Sequence, residues 1–173
     1  MPDYNYHIEF LTCTILRWQK LLTNDAYKQM IINSVSWLHK EGRCNIYAFV
    51  IMPNHIHFLW RINNTYARAE VQGALLSYTA HKFKEHLQDT NKAILMKHFV
   101  GDADRTFQFW ERDSRVKECW NEPFLLQKLN YIHNNPCQPH WNLAALPEEY
   151  AWSSAAFYQT GKSSFDWLEH YAV

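Results

Sequence analysis

The chain has 173 residues, of which 47% are hydrophobic and 20% are charged, and its Lys and Arg residues balance its Asp and Glu residues. This composition is typical of one globular domain and excludes a disordered or a fibrous chain. There is no overall basic excess of the kind that binds duplex DNA by charge alone. Residues 1–128 nevertheless hold 16 Lys and Arg against 13 acidic residues, so any nucleic-acid contact is expected there.

No targeting or membrane segment is predicted. The N-terminal sequence MPDYNYHIEF lacks the apolar core of a signal peptide, and no apolar run reaches the roughly 20 residues that span a bilayer. The four cysteines form no Cys-x-x-Cys pair, which disfavours a cysteine zinc site. The sequence therefore predicts a cytoplasmic protein with reduced thiols and no membrane contact.

The first half of the chain predicts a strand, a helix and a hairpin. Residues 7–15 (HIEFLTCTI) are rich in Ile, Phe and Thr, as strands are. Asn24 is a candidate N-cap for a helix with apolar residues at helical spacing. Residues 45–52 and 55–62 predict two further strands, joined by the turn signal Pro53–Asn54.

The second half begins with a long amphipathic helix, and residues 90–106, which have no clear period, predict a loop. Residues 107–110 predict a fourth strand, with residues 115–119 as its candidate continuation. Asn121 is the candidate N-cap of a third helix, which Pro136 should end.

The order strand, helix, hairpin, helix, strand, helix is that of a split βαβ unit. It predicts an α+β, ferredoxin-like fold, in which helices pack mainly on one face of an antiparallel sheet. No repeat, low-complexity segment or linker indicates a second domain, so residues 1–173 are expected to form one domain. Residues 139–173 are aromatic and irregular, and this C-terminal tail is expected to pack on the domain.

Two histidines in the third strand are the first candidate functional residues. Because side chains alternate along a strand, His55 and His57 should point to one face, and Ile56 and Phe58 to the core. Two imidazoles on one face can chelate a divalent metal, although a further ligand must come from elsewhere. The alternative is a pair of polar residues on the exposed face of a hairpin, which the apolar neighbours disfavour.

The helical segment LNYIHNNP, residues 129–136, contains a second candidate cluster. Tyr131 and Asn135 are four residues apart and should share a helix face, while Asn134, three residues from Tyr131, is a rival neighbour. A phenol beside an amide oxygen and a metal can attack a phosphodiester. The alternative for a single tyrosine among ten is a packing role.

Together these segments resemble the HUH single-tyrosine transposases, most closely the REP-associated tyrosine transposases with an IS200-like transposase domain. The segment YAFVIMPNHIHFL is similar to their strand with two histidines around a hydrophobic residue, and LLQKLNYIHNNP is similar to their catalytic-tyrosine helix. SYTAHK, FWERD and YAWSSAAFY are similar to further segments, in the same order. The resemblance runs from about residue 4 to about residue 158.

The resemblance implies the HUH endonuclease fold and an enzyme that cuts and rejoins single-stranded or hairpin DNA. In that case His55, His57 and Asn135 would hold one Mg²⁺ or Mn²⁺, and Tyr131 would attack the scissile phosphate to form a 5′-phosphotyrosine and a free 3′-OH. Asn134 stays open as the third ligand. The resemblance also implies a nucleoid-associated prokaryotic protein, acting as a homodimer or as a monomer.

Candidate DNA contacts are the basic residues of the long helix and of the segment WERDSRVK: Arg68, His81, Lys82, Lys84, Arg112, Arg115 and Lys117. For each of them the alternative is a solvated basic face. Two other functions remain open. A DNA-hairpin-binding module derived from a transposase would lack a catalytic residue, and an unrelated histidine-metal hydrolase would not need Tyr131.

Overall fold

The computed structural model describes residues 4–173, so residues 1–3 of the expected domain lie outside the described part. The strands are β1 (Glu9–Thr14), β2 (Cys44–Ile51), β3 (His55–Ile62) and β4 (Arg115–Glu118). The helices are α1 (Asp25–Lys40), α2 (Arg68–Thr90), α3 (Lys92–Met96), α4 (Glu122–Asn134) and α5 (Ala155–Thr160). Short 3₁₀ turns cover Leu16–Trp18, Leu21–Thr23, Asn135–Cys137 and Pro147–Glu149.

The four strands form one sheet in the order β2-β3-β1-β4, and each neighbouring pair is antiparallel. Strands β1 and β2 therefore run in the same direction with β3 between them, and α1 connects them. This arrangement is the split βαβ unit, so the predicted α+β, ferredoxin-like fold class is confirmed.

The two faces of the sheet have different helical partners. Helices α1 and α2 pack on one face, where the buried side chains of β3 include Ile56 and Phe58. Helix α4 packs on the other face through Leu125, Leu129 and Ile132. Since side chains alternate along β3, the residues on either side of Ile56 and Phe58 face α4, as Leu59 does. The face with fewer helices is therefore the one that presents both histidines.

The segment before β4 differs from its prediction. Residues 107–110 form isolated bridges, Phe107 with Phe99 and Trp110 with Ile15, and the ladder to β1 is made by β4 instead. Trp110 is buried, and its indole N–H donates to Thr79 Oγ1 in α2 at 3.0 Å. These apolar residues therefore serve as packing against α2 rather than as a strand.

The region predicted as a loop contains the short helix α3. Its N-cap is Asn91, whose side-chain oxygen accepts a hydrogen bond from Ile94 N at 3.1 Å. A helix of five residues has too few apolar positions to show a period, which is why the pattern did not reveal it.

The C-terminal tail lies along the outer edge of β2. The Ile51 N–H donates to the Trp152 carbonyl at 2.9 Å, and the Ser154 N–H donates to the Phe49 carbonyl at 3.0 Å. The Tyr150 hydroxyl adds a bond to the Ile51 carbonyl at 2.7 Å. The tail thus satisfies backbone groups that an open sheet edge would expose. Within the described residues, no helix combines the length and apolarity of a membrane span.

Candidate functional site

The pairing of β1 with β3 orients both histidines. Thr12 and Thr14 of β1 lie opposite His57 and His55, respectively. The His57 Nδ1 atom lies 2.9 Å from Thr12 Oγ1, and the His55 Nδ1 atom lies 2.6 Å from Asn54 Oδ1. Because an amide oxygen only accepts, His55 Nδ1 carries the hydrogen, and the lone pair of its Nε2 is free.

Helix α4 begins at a well-formed cap and brings a tyrosine over the histidines. The Asn121 side chain accepts from Phe124 N at 2.9 Å, and Pro123 follows in the first turn. The ring centroids of Tyr131 and His57 are 5.3 Å apart, and those of His55 and His57 are 4.8 Å apart.

The two asparagines that follow the tyrosine have different environments. Asn135 ends the helix, is 4% exposed and lines the same cleft as both histidines, and its Nδ2 has no hydrogen-bond partner in the described structure. Asn134 is exposed, and its Nδ2 donates to the Asn130 carbonyl at 2.9 Å. The structure therefore brings Asn135, and not Asn134, to the two histidines and Tyr131.

Burial keeps both histidines neutral. Removal from water lowers the pKa of His55 to about 4. It lowers the pKa of His57 to about 3, with a smaller contribution from the neighbouring His55. Neutral imidazoles have a lone pair for a metal, whereas imidazolium ions do not. At neutral pH the pair is therefore ready to bind a cation.

The donor set fits a divalent cation. The His57 Nε2 atom is buried without a partner in the described residues, as is the amide nitrogen of Asn135. Because the two ends of an amide are related by rotation, the Asn135 oxygen can occupy that position. Among the described residues, no group of three or more His, Cys, Asp and Glu side chains is arranged so that it could hold a metal ion. A metal held here would thus use two imidazoles and one amide, leaving positions open for substrate oxygens.

These residues lie in an open cleft with a volume of about 640 Å³. Three cations line it, Arg115, Lys117 and Lys128, and no carboxylate does so among the described residues. The Lys128 ammonium lies 5.0 Å from the Phe10 ring centroid and 5.9 Å from that of Tyr131. The cleft is therefore locally positive, although the protein as a whole has no net charge.

The predicted DNA contacts separate into two groups. Arg115 and Lys117 of β4 line the cleft with Tyr131. His81, Lys82 and Lys84 belong to α2, which packs on the opposite face of the sheet. His81 and Lys82 pair with Glu85, and the Lys84 ammonium lies 5.6 Å from the Phe107 ring. Arg112 pairs with Asp102 at 2.9 Å.

Arg68 has a position unlike that of the other predicted contacts. Its guanidinium pairs with the fully buried Glu9 of β1 and, at 3.1 Å, with Glu118 of β4. Burial raises the pKa of Glu9, and the bonds from Arg68 oppose that rise. Arg68 therefore joins the start of α2 to two strands of the sheet, and a structural role accounts for its contacts.

We expect Arg68→Ala to lower the free energy of unfolding by about 2–4 kcal/mol, because it leaves the Glu9 carboxylate buried without its cation. Urea denaturation measures this change. Arg112→Ala is the matched control, since an exposed ion pair contributes less than about 1 kcal/mol. Adding Glu9→Gln to Arg68→Ala should recover part of the loss. An Arg68→Ala protein that is fully stable but binds DNA poorly would instead favour a DNA contact.

The cleft contains residues that the sequence patterns do not reveal. Thr12 meets His57 only through the register of β1 and β3. Trp18 and Trp141 come from irregular segments and carry no local signal. Lys128 is the exception: it precedes Tyr131 by three residues on α4, so helical spacing alone places the two on one face.

His133 provides a test of the burial of the histidines. It faces away from the cleft, its Nε2 lies 2.8 Å from Ser154 Oγ, and burial lowers its pKa to about 4. Between pH 6.5 and 4, His133 is protonated in the unfolded chain but stays neutral in the folded protein. Its contribution to the free energy of unfolding is therefore fully present above pH 6.5 and is lost as the pH falls towards 4.

We therefore expect each buried histidine with a lowered pKa to reduce the free energy of unfolding by about 1.4 kcal/mol for every unit by which the pH is lowered between 6.5 and 4. In His133→Gln the fall should be smaller by that amount. Urea denaturation in EDTA at several pH values measures both slopes. The control is His81→Gln, at an exposed position. Equal slopes for the wild type and His133→Gln would contradict the assignment.

Comparisons with known proteins show the family and the fold of the chain. The family model for the IS200-like transposases matches residues 2–135, which include both histidines, Tyr131 and Asn135. A REP-associated tyrosine transposase bound to a REP hairpin has a similar fold, with a TM-score of 0.63 and 17% identity, over 98% of this chain and 92% of that chain.

A second similar structure is that of a proposed transposase from Deinococcus radiodurans R1, with a TM-score of 0.50 and 18% identity, over 76% of this chain and 92% of that chain. No curated protein matches the sequence. At these identities the structures show a shared fold, whereas the family model covers more than half of the chain. On this basis the chain belongs to the family of IS200-like transposases.

Proposed function

We propose that the protein cleaves and rejoins single-stranded DNA next to a hairpin, with Tyr131 as the nucleophile and a divalent metal held by His55, His57 and Asn135. The observation that carries the proposal is the approach of the half-exposed Tyr131 ring to His57, at 5.3 Å, in a cleft lined by cations. A nucleophile, neutral metal ligands and phosphate-binding charges are the groups that cleavage of a phosphodiester by a side chain requires.

The neutral state of His55 and His57 and the unpartnered Nε2 of His57 support their role as ligands. The burial of Asn135 favours it over the exposed Asn134 as the third ligand. Bound Mg²⁺ or Mn²⁺ would supply Lewis-acid polarisation of the scissile phosphate. The hydrogen bond from His55 to Asn54 keeps its Nε2 free for this purpose.

Tyr131 is suited to the attack because it is 52% exposed, which leaves its hydroxyl accessible to a strand of DNA in the cleft. A bond forms between Tyr131 Oη and phosphorus, and the bond from phosphorus to the 3′ oxygen breaks. The phenol proton leaves to water in the open cleft, and the departing 3′ oxygen takes up a proton. The product is a 5′-phosphotyrosine, and attack by another 3′-OH reverses the step and joins two strands.

Arg115, Lys117 and Lys128 would bind the phosphates on either side of the scissile bond. Their local positive charge accounts for DNA binding by a protein without net charge. Hairpin DNA is the proposed partner because the fold is shared with a transposase bound to a REP hairpin. Such a partner presents both a duplex stem and an unpaired flank.

The test is a covalent adduct between the protein and DNA. A pool of labelled hairpin oligonucleotides with single-stranded flanks is incubated with the protein and Mn²⁺, and the products are separated on a denaturing gel. We expect an adduct that EDTA abolishes and that renewed Mn²⁺ restores, with peptide mass spectrometry locating it at Tyr131.

Other outcomes identify the competing functions. Binding of hairpins without an adduct under Mn²⁺ or Mg²⁺ would indicate a binding module. Metal-dependent cleavage without an adduct would indicate a histidine-metal hydrolase. Either result would overturn the proposal.

A further inference from the structure

Two indole rings line the cleft in addition to its cations. The cations belong to β4 and α4, whereas Trp18 follows β1 and Trp141 follows α4. Both indoles line the cleft together with His55, and the ring centroids of His55 and Trp141 are 5.8 Å apart. The residues proposed for chemistry thus share one cleft with cations and with two indole rings.

Trp18 is presented by an unusual backbone. Arg17 and Trp18 both have a φ of 56°, in the left-handed region that residues other than glycine rarely adopt. This conformation is unfavourable for residues with a side chain, so surrounding contacts must maintain it. The Arg17 N–H donates to a Glu111 carboxylate oxygen at 2.6 Å, and its guanidinium donates to the Lys97 carbonyl at 2.9 Å.

This strained turn leaves a large apolar ring in water, since Trp18 is 65% exposed. Burying an indole is favourable, so the stability of the fold alone does not explain an exposed indole on a strained turn. A ligand that covers the ring in the bound state is such a reason.

The position of Trp18 is also tied to the proposed metal ligand. The Asn54 side chain donates through Nδ2 to the Trp18 carbonyl at 3.4 Å and accepts through Oδ1 from His55 Nδ1 at 2.6 Å. One amide therefore holds the indole-bearing turn and the imidazole in a common arrangement. A group that stacks on Trp18 would be placed at a defined position relative to His55.

Trp141 is half-buried and has its own support. The backbone N–H of Trp141 donates to the Gln138 carbonyl at 2.9 Å, and the Lys20 ammonium lies 5.7 Å from the centroid of the Trp141 ring. Lys20 thus adds a positive charge beside Trp141, where a phosphate could also pass. An unpaired strand of DNA has this pattern of flat rings joined by anions, and stacking on aromatic side chains is the usual way to bind it.

We infer that Trp18 and Trp141 form a stacking subsite for an unpaired nucleobase next to the scissile phosphate, and that this subsite sets the register of the strand over Tyr131. The inference rests on the proposed function. It adds a specificity-determining contact: the cations would bind phosphates of any sequence, whereas a base held by indoles would decide which phosphate reaches the tyrosine.

The test is an abasic scan of the single-stranded flank. Binding of fluorescent hairpin DNA is measured by anisotropy in EDTA, so that no cleavage intervenes, with single abasic sites moved along the flank. In the wild type, we expect one or two adjacent abasic positions to raise Kd by about 5- to 100-fold. Trp141→Ala and Trp18→Ala should weaken binding of the intact DNA by a similar factor.

The decisive measurement combines a tryptophan substitution in the protein with an abasic site in the DNA. In the double variant Trp18→Ala/Trp141→Ala, the abasic site that harms the wild type should add less than about twofold, because both stacking partners are gone, and each single variant should reduce the abasic penalty in part. Trp141→Phe, which retains a ring, should restore part of the penalty. Trp37→Ala removes a similarly exposed indole from α1, outside the cleft, and should bind like the wild type.

An abasic penalty that persists undiminished in both Trp→Ala variants would overturn the inference, as would variants that bind intact DNA as tightly as the wild type. Equal weakening at every flank position would likewise overturn it, since that indicates a structural effect. Because the readout is binding in EDTA, failure of the subsite is distinguishable from failure of the proposed chemistry: an adduct at Tyr131 without abasic coupling overturns the subsite alone.

Discussion

Tyr131→Phe is expected to abolish the covalent adduct, with a loss of at least about 10³-fold in cleavage rate, while Kd for hairpin DNA stays within about twofold of the wild type. The substitution removes one oxygen atom and keeps the ring. The ring contacts with His57 and Phe10, at centroid distances of 5.3 and 6.0 Å, should therefore remain. The side chain is 52% exposed, so no buried hydrogen bond is lost and the fold should be retained.

The measurements are single-turnover cleavage with Mn²⁺ and anisotropy binding without it. Tyr78→Phe is the matched control, because that tyrosine is 46% exposed but belongs to α2 on the other face of the sheet. An adduct that persists in Tyr131→Phe would remove this residue as the nucleophile. Retained metal-dependent cleavage without an adduct would favour the hydrolase alternative.

His57→Ala should have the second largest effect, through the metal. Loss of one of three protein ligands is expected to weaken Mn²⁺ binding at least about 100-fold and to lower the cleavage rate by a comparable or larger factor. Titration of Mn²⁺ followed by electron paramagnetic resonance measures binding without DNA, so the result does not depend on the substrate. His140→Ala, which removes an exposed histidine of the same cleft, should bind Mn²⁺ as the wild type does.

The same titration discriminates between the two asparagines. Asn135→Ala should weaken Mn²⁺ binding, whereas Asn134→Ala should not, because the Asn134 amide is exposed and bonded to the Asn130 carbonyl. The reverse outcome would transfer the role to Asn134. Unchanged Mn²⁺ affinity in both His57→Ala and Asn135→Ala would contradict the proposed metal site.

Local patterns predicted much of the fold. The alternation along β3 correctly placed Ile56 and Phe58 in the core, because the period of a strand decides which side chains share a face before any packing is known. The 3.6-residue period did the same for α4, where the capping of Asn121 and the apolar spacing agree with the structure. Strands and helices of this kind can be predicted because their geometry depends on residues that are close together in the sequence.

Contacts between residues that are far apart in the sequence could not be predicted in this way. Residues 107–110 have the composition of a strand, but Trp110 packs against Thr79 of α2, and the ladder forms at β4. Arg68 is predicted from the sequence as one of several basic residues of α2 that contact DNA, and the tertiary structure pairs it with the buried Glu9. An arginine that is free to bind a ligand and an arginine that is paired inside the protein are the same residue type in the sequence, and only their neighbours in the folded structure distinguish them.

That His55 and His57 share one strand face, and that Tyr131 and Asn135 share one helix face, can be predicted from the sequence alone, because both follow from backbone periodicity. The three-dimensional structure is needed to show that α4 packs on the histidine face of the sheet, which brings these residues into one cleft with Arg115, Lys117 and Lys128. It also shows that Trp18 and Trp141 line the same cleft. Proximity between segments that are far apart along the chain depends on the packing of the whole sheet, and no pattern of neighbouring residues reveals it.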